Sequence, residues 1–466
     1  MKYISTRGGI APIPFSEAVM MGLASDGGLL LPEKIPAFGP AEIEDLTRLS
    51  YNDLALAIFS RFVGDDIPTA DLKQLIDKSY TTFSTPAVAP VRRVGILYIQ
   101  ELFHGPTLAF KDVALQFLGH LFEYLLKKEQ RSLNILGATS GDTGSAAIHG
   151  LRGKEKINIF ILHPDGKVSP IQEKQMTSVL DANVFNLAVA GTFDDAQRIV
   201  KEIFADLDFK KKFSLGAVNS INWARIMAQI VYYFSAYSQI PEAKHEHFTV
   251  VVPTGNFGNI FAGWMAKAMG LPIKKLILAT NANDILHRFI SANDYRVEGV
   301  VPTYSPSMDI QLASNFERYL YFLFNHDSER LKQALKEFTA DGRLQVGEKE
   351  FARVKEEFFS ARADNLTTLE VIRKAYKNHD YILDPHTAAG VHAARCYINE
   401  VDAEAAIVCL ATAHPAKFPE AVEKAIGTPP PVPEAIRALD GLPCRCDKIA
   451  AETNAVKDYL RMKLEN

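Results

Sequence analysis

A chain that keeps delivering short apolar strands into glycine-rich turns and helices predicts an α/β fold with a mostly parallel sheet. Three observations carry that expectation here. The apolar run 133–136 leads into GATSGDTGSAAIHGL, the run 248–252 leads into PTGNFGNIFAGWMAKAMG, and further runs at 157–162, 276–279 and 405–411 are short, apolar and bounded by turn residues. Strands covered on both faces by helices read this way, as continuous apolar stretches without alternation. No fixed-period repeat is present, which excludes solenoids and propellers.

The remaining segments read differently. Residues 1–95 mix Gly/Pro turns with amphipathic helices, such as one expected over 45–62, and suggest a separate N-terminal domain. The stretch 326–364 is laced with charge and reads as helix with a solvated face. After residue 425 the run GTPPPVP stops helix formation and opens a tail, 426–466, that ends in one polar helix.

Composition narrows the function. The 466 residues, 47% of them hydrophobic and 23% charged, suit a globular protein with a sizeable core. A balance of 51 Lys+Arg against 55 Asp+Glu supplies no positive field for nucleic acid or an anionic membrane. No window approaches the ~20 apolar residues of a membrane helix, and the N-terminal stretch lacks a signal-peptide pattern. A soluble protein that stays where it is made and takes a small-molecule partner is the expectation. Cys396, Cys409, Cys444 and Cys446 are too few and too clustered to brace the chain, so they read as reduced thiols. The Cys444/Cys446 pair has no second pair or neighbouring His in sequence, and no metal is assigned.

Chemistry concentrates in two turns and one lysine. In ATSGDTGSAA, Gly141 and Gly144 let the backbone approach a ligand, while Thr139, Ser140 and Thr143 place hydroxyls beside the N–H groups of the next helix. The spacing is not the G-x-G-x-x-G of dinucleotide folds. Asp142 would repel an anion there, so it either turns away or pairs with a cation or a substrate amine. In VVPTGNFGN, Gly255 and Gly258 close a strand-to-helix turn with Asn256 and Asn259 as side-chain donors and no Lys or Arg. That suits a phosphate held by backbone amides better than a transferring γ-phosphate. Lys111 opens a helix among Leu108, Ala109, Phe110, Val113, Ala114 and Leu115. An apolar setting of this kind favours the neutral, nucleophilic amine.

FHGPTLAFKD, ATSGDTG and PTGNFGN together resemble the pyridoxal-phosphate (PLP) enzymes of fold type II, the tryptophan-synthase-β-like group. YISTRGG, GLASDGGLLLP, NSINWARI and SNFERYL, in the same order, resemble the threonine synthase family within it. The resemblance implies two parallel-sheet α/β subdomains in a catalytic region over 96–425, beside the N-terminal domain. It implies PLP as cofactor, with Lys111 as the Schiff-base lysine. Gly255, Asn256, Phe257, Gly258 and Asn259 match the cofactor-phosphate loop, and Thr412 matches the hydroxyl facing the pyridine nitrogen. A neutral hydroxyl there leaves the ring a milder electron sink than an Asp would. Ser140, Gly141, Asp142 and Thr143 match the loop at the substrate's amino-acid end, and Asn219, Ser220 and Arg225 match positions near its phosphate.

The activity so implied converts O-phospho-L-homoserine and water to L-threonine and phosphate. A serine/threonine dehydratase on the same scaffold would share Lys111 and the glycine loop but leave the second anion site without a ligand. A non-catalytic phosphate-ligand sensor would have no need of Lys111. Arg225 lies in an apolar helix over 223–237 and must meet either a carboxylate or a ligand. Lys417, a rival for the cofactor lysine, reads as part of a surface turn between Pro415 and Pro419. His386 and His392 share a helix face and read as structural or substrate-proximal, not as metal ligands.

Overall fold

The computed structural model describes residues 1–139, 141–241 and 248–465. The chain divides into two compact units interleaved along the sequence. Unit 1 comprises Met1–Asp77, Ser84–His104 and Ser220–Pro431, and unit 2 comprises Lys78–Phe83, Gly105–Asn219 and Val432–Asn466. The α/β class is as expected, with each unit built on its own predominantly parallel sheet.

Unit 1 holds six strands in the order Phe358–Arg362, Lys275–Thr280, Phe248–Pro253, Ala406–Ala411, Leu97–Glu101, Val91–Val94. All neighbours pair in parallel except the last, an antiparallel hairpin at the edge. The middle strand Phe248–Pro253 is buried at every residue, which is why it reads in sequence as an unbroken apolar run. One face is covered by the helix Pro385–Glu400, whose Ala388, Val391, Ala393 and Ala394 pack with Val251, Ile277, Ile407 and Cys409. The N-terminal segment pairs Tyr3–Ser5 with Leu30–Pro32. Tyr3 donates its hydroxyl to Phe62 O at 2.9 Å and packs beside Trp223, tying that segment to the helix Trp223–Gln239.

Unit 2 holds five parallel strands in the order Asp447–Ala450, Val184–Ala190, Ile157–Pro164, Leu133–Ala138, Leu215–Gly216. Two helices follow its functional motifs. Lys111–Glu129 and Asp142–Leu151 cross so closely that a Cβ on Gly119 would lie 1.9 Å from Gly150 O, and one on Gly150 would lie 2.4 Å from Leu115 O. Backbone meets backbone at this crossing, so neither glycine tolerates a side chain.

Three local expectations are corrected. The helix expected over 45–62 is two helices, Pro40–Leu46 and Tyr51–Val63, because Ser50 accepts the Asp53 N–H and caps a fresh start. The charged stretch 326–364 ends in a strand, Phe358–Arg362, after the helices Ser328–Asp341 and Glu348–Glu357. Its Phe-Phe start pairs with Lys275–Thr280 at the sheet edge. Lys417 is not on a surface turn: it is 1% exposed, at the end of the short 3-10 turn Pro415–Lys417. That turn follows a strand from the middle of the sheet and is enclosed with the strand's end. Among the described residues no helix is long and apolar enough to cross a membrane.

The glycine crossing gives a stability test. Alanine at an ordinary helical glycine gains up to about 1 kcal/mol, but at Gly119 it must force the crossing backbones away from each other. Gly119→Ala is expected to lower stability by roughly 1–3 kcal/mol in denaturant unfolding. A neutral or stabilised variant would show that the crossing is loose.

Candidate active site

In unit 2, the sequence GPTLAFKD folds back on itself around one carboxylate. Asp112, fully buried, accepts the Thr107 N–H at Oδ2 (2.8 Å) and the Thr107 hydroxyl at Oδ1 (2.7 Å). A Cβ on Gly105 would collide with Asp112 at 2.4 Å, and Leu108 takes a left-handed φ of 59° to complete the turn. Gln175 donates to Thr107 O at 3.2 Å from a separate helix. The clamp fixes the first residue of the helix, which is Lys111. The Lys111 side chain is 11% exposed, and its Nζ stands 3.8 Å from Asp142 Oδ2. Of the alternatives left open for Asp142, pairing with a cation is therefore the one found. Asp142 is held in turn by Gln172, whose Nε2 donates to Oδ1 at 2.7 Å.

The ATSGDTG turn differs from expectation in one respect. Thr139 Oγ1 accepts the N–H groups of Gly141 (3.0 Å) and Gly144 (2.9 Å), so this hydroxyl braces the turn and occupies two donors expected to be free. Gly141 has φ 151°, and its missing Cβ leaves room for Gln172. Thr143 is half-buried in the first turn of the helix. Ser140 lies outside the described residues. Asn219 has a buried Oδ1 without a hydrogen-bond partner among the described residues.

In unit 1, the PTGNFGN turn joins the strand Phe248–Pro253 to the helix Gly258–Ala268. Phe257 adopts φ 63°, strained for a bulky residue, and is held by Phe316, Tyr319 and Phe358 around its ring. Asn256 is exposed, and its carbonyl accepts the Asn315 N–H at 3.0 Å. Asn259 Oδ1 is taken by Tyr232 (2.6 Å) and Tyr233 (2.9 Å), and its Nδ2 is buried and unsatisfied among the described residues. Thr412, 6% exposed, follows the strand Ala406–Ala411 at its carboxyl end.

Arg225 occupies the first turn of the helix Trp223–Gln239, capped by Asn222. It is 3% exposed, and its Nε and Nη1 have no partner among the described residues. No carboxylate among those residues stands within ion-pair distance of it, and burial pushes its guanidinium down to about 10. Nearby on the same unit, Ser220 Oγ meets Ser314 Oγ at 2.9 Å, and Asn315 donates to Ser220 O.

Sequence reasoning missed a polar group at the carboxyl end of the unit 1 sheet. Glu101 pairs in register with Ala411 and is 4% exposed. It receives His104 Nε2 (2.9 Å), the Tyr381 hydroxyl (2.9 Å) and Arg92 Nε (3.1 Å). Burial opposes its charge, but these partners outweigh it and hold Glu101 below the usual carboxylate range. His386 is buried with Nδ1 2.8 Å from Asp384 Oδ1, whereas His392 is only partly buried, beside Cys396. A carboxylate closing a buried strand was the available signal for Glu101. Cys446, expected to have no histidine near it, stands 3.5 Å from His163 Nε2 in space.

Comparison with known proteins decides the family. The profiles described as "Threonine synthase N terminus", "Pyridoxal-phosphate dependent enzyme" and "Threonine synthase, C-terminal" match residues 2–80, 82–413 and 387–460. A threonine synthase of Pseudomonas aeruginosa is 47% identical over 99% of this chain and 98% of its own length. The chain belongs to the threonine synthase family. Two solved structures of that family superpose closely. The PLP-bound enzyme from Brucella melitensis has a TM-score of 0.96 at 44% identity, covering all of both chains. The yeast enzyme has 0.95 at 45%, covering 100% of this chain and 99% of its own.

Membership makes this threonine synthase family protein a PLP-dependent enzyme of fold type II. Its residues suit that cofactor. The unsatisfied Asn259 Nδ2 at a helix start fits a phosphate acceptor, and a lysine clamped at a helix start beside a carboxylate fits covalent attachment.

His414, which caps the turn Pro415–Lys417 just beyond the strand Ala406–Ala411, gives a pH test. Burial pushes it down to about 4, and its Nδ1 accepts the Ala416 N–H at 3.1 Å. The unfolded chain takes up this proton near pH 6.5. Its stabilising effect is therefore complete above pH ~6.5 and lost progressively as pH falls toward about 4. His414→Gln should remove up to about 3 kcal/mol of the difference in unfolding free energy between pH 7.5 and pH 4. An unchanged pH slope in urea unfolding would refute this.

Proposed function

We propose that the protein converts O-phospho-L-homoserine and water to L-threonine and inorganic phosphate, in the cytoplasm. The observation that carries this reading is Arg225, a buried guanidinium with two nitrogens unpartnered among the described residues, in an apolar helix. An amino-acid substrate without a phosphate would leave that charge uncompensated, at a cost of several kcal/mol. A phosphate accepts the guanidinium bidentately. The free thiols of all four cysteines support a reducing compartment.

In this reading the N–H groups of the loop from Gly255 to Asn259, with Asn256 and Asn259 as side-chain donors and Phe257 and Gly258 shaping its backbone, hold the cofactor phosphate. Thr412 would face the pyridine nitrogen with a neutral hydroxyl. When bound, PLP supplies the electron storage that lets the substrate lose protons at Cα and Cβ and expel its γ-phosphate. Lys111 would hold the cofactor through its Nζ and leave its amine free once the substrate's own amine takes that place. Its freed amine takes the Cα proton and serves proton transfer at Cβ. Asp142 keeps the protonated Lys111 in place between transfers, 3.8 Å away. The loop 140–143 receives the substrate's amino-acid end through the hydroxyls of Ser140 and Thr143, the Gly141 N–H being spent on Thr139, while Asn219, Ser220 and Arg225 receive its phosphate. Lys111 would return protons at Cγ, which becomes the methyl carbon, and at Cα, while the water that adds at Cβ gives its hydroxyl to the product and its proton to the departing phosphate.

Borohydride reduction of the holoenzyme should label the peptide that contains Lys111. Label on Lys417, which is also buried, would overturn the assignment.

Incubation with phosphohomoserine, homoserine, serine and threonine separately should give threonine and phosphate from the first alone. Arg225→Ala should retain the cofactor absorbance and lose most turnover, each charge-assisted hydrogen bond being worth roughly 1.5–3 kcal/mol. Inorganic phosphate should inhibit the wild type and inhibit the variant less. A variant that unfolds more readily yet is inhibited normally would assign Arg225 a structural role.

A further inference from the structure

Gly255 is closed in by a turn from a distant stretch of unit 1. A Cβ on Gly255 would lie 2.7 Å from Ser307 O and 3.4 Å from Met308 Cα. The position of the short turn Pro306–Met308 therefore limits where the glycine loop can sit. Asn281 Nδ2 ties the two ends of the turn together by donating to Ser305 O at 3.2 Å and to Asp309 Oδ1 at 2.7 Å. Met308 packs with Ala363 and Ala389. The N–H of Ser307, at the turn's centre, is held by neither device: it donates to His386 Nε2 at 3.2 Å.

That bond requires a bare Nε2, so the network puts the ring proton on Nδ1, 2.8 Å from Asp384 Oδ1. Asp384 is itself immobilised. It caps the helix Pro385–Glu400, accepting the His386 N–H at 2.9 Å and the N–H and hydroxyl of Thr387. The His386 side chain is 3% exposed and that of Asp384 is 1%. The edge of the imidazole rests on Phe418, 4.8 Å between centroids, in the segment that follows Thr412.

We infer that His386 is a positioning residue for the glycine loop, acting through Ser307 on Gly255, with Asp384 selecting its tautomer. The inference rests on the reading of residues 255–259 as the cofactor-phosphate loop. Removing the acceptor takes away one restraint on the turn at Ser307 and lets it shift against Gly255 within what Asn281 and Met308 allow, so the effect falls on cofactor affinity and on the environment of the cofactor phosphate. A ring that merely filled space would affect stability alone.

The test compares His386→Leu with His386→Gln, which keeps an acceptor near the Nε2 position. Three quantities are read: the PLP dissociation constant, the phosphorus-31 shift of bound cofactor, and thermal midpoints with and without PLP. His386→Leu should weaken PLP binding about tenfold, shift the phosphorus signal and shrink the stabilisation that PLP confers. His386→Gln should restore all three to near wild type. Wild-type affinity and phosphorus shift in the Leu variant, or equal losses in both, would overturn the inference. Asp384→Asn keeps the helix cap and releases the tautomer. Should the Leu variant not fold, weakened PLP binding in Asp384→Asn supports the inference and wild-type binding overturns it. Gly255→Ala separates the two levels: unchanged PLP affinity there defeats the loop reading itself. Weakened affinity there beside a wild-type His386→Leu defeats only the role of His386.

Discussion

A parallel strand that runs straight into a helix leaves the first N–H groups of that helix without backbone partners, and much of this protein's chemistry follows from how those groups are treated. In unit 2 the turn after Leu133–Ala138 spends two of them, those of Gly141 and Gly144, on the Thr139 hydroxyl. In unit 1 the turn after Phe248–Pro253 has no such side-chain acceptor of its own among the described residues, and Phe257 is held in a strained conformation by three aromatic rings. One helix start is closed by its own sequence and the other is kept open. The same difference separates a turn whose N–H groups at Gly141 and Gly144 are already spent from one whose helix-start N–H groups suit a phosphate.

Buried charge is handled by a comparable division of labour. Arg318 is fully buried yet satisfied, donating to Leu30 O, Ile221 O and Asn315 Oδ1. Asn315 in turn supports the carbonyl of Asn256. Arg225 is equally deep and has two nitrogens unspent among the described residues. A fold able to surround one arginine with carbonyls had the means to do the same for the other, which makes the difference informative. Glu101 and Asp384 show the complementary pattern for carboxylates, each filled by several donors at the sheet's carboxyl edge.

Much of this was legible in the sequence. The strands with every residue buried, such as Phe248–Pro253, announce themselves as apolar runs, and the glycines of both turns mark where helices start. Edge strands were missed because only some of their residues are covered. Phe358–Arg362 is preceded by a charged helix, and Asp447–Ala450 has no fully buried residue at all. The role of Asp112 was invisible because its partners, Thr107 and Gly105, lie within a turn whose shape depends on a left-handed Leu108. Lys417 was misread for a similar reason: two prolines signal a turn but carry no information about what encloses it.

The pairing of Asp447–Ala450 with Val184–Ala190 has a consequence for how the protein is made. Those partners are separated by more than half the chain, and the intervening residues include four of the six strands of the other sheet. During synthesis the edge of Val184–Ala190 stays bare while residues 220–431 emerge, and only then does its neighbour arrive. An unpaired strand of mostly buried, apolar character is prone to pair with a second copy of itself. The nascent chain thus passes through an interval in which that edge has no partner from its own sequence, and slowing translation between the two segments would lengthen the exposure.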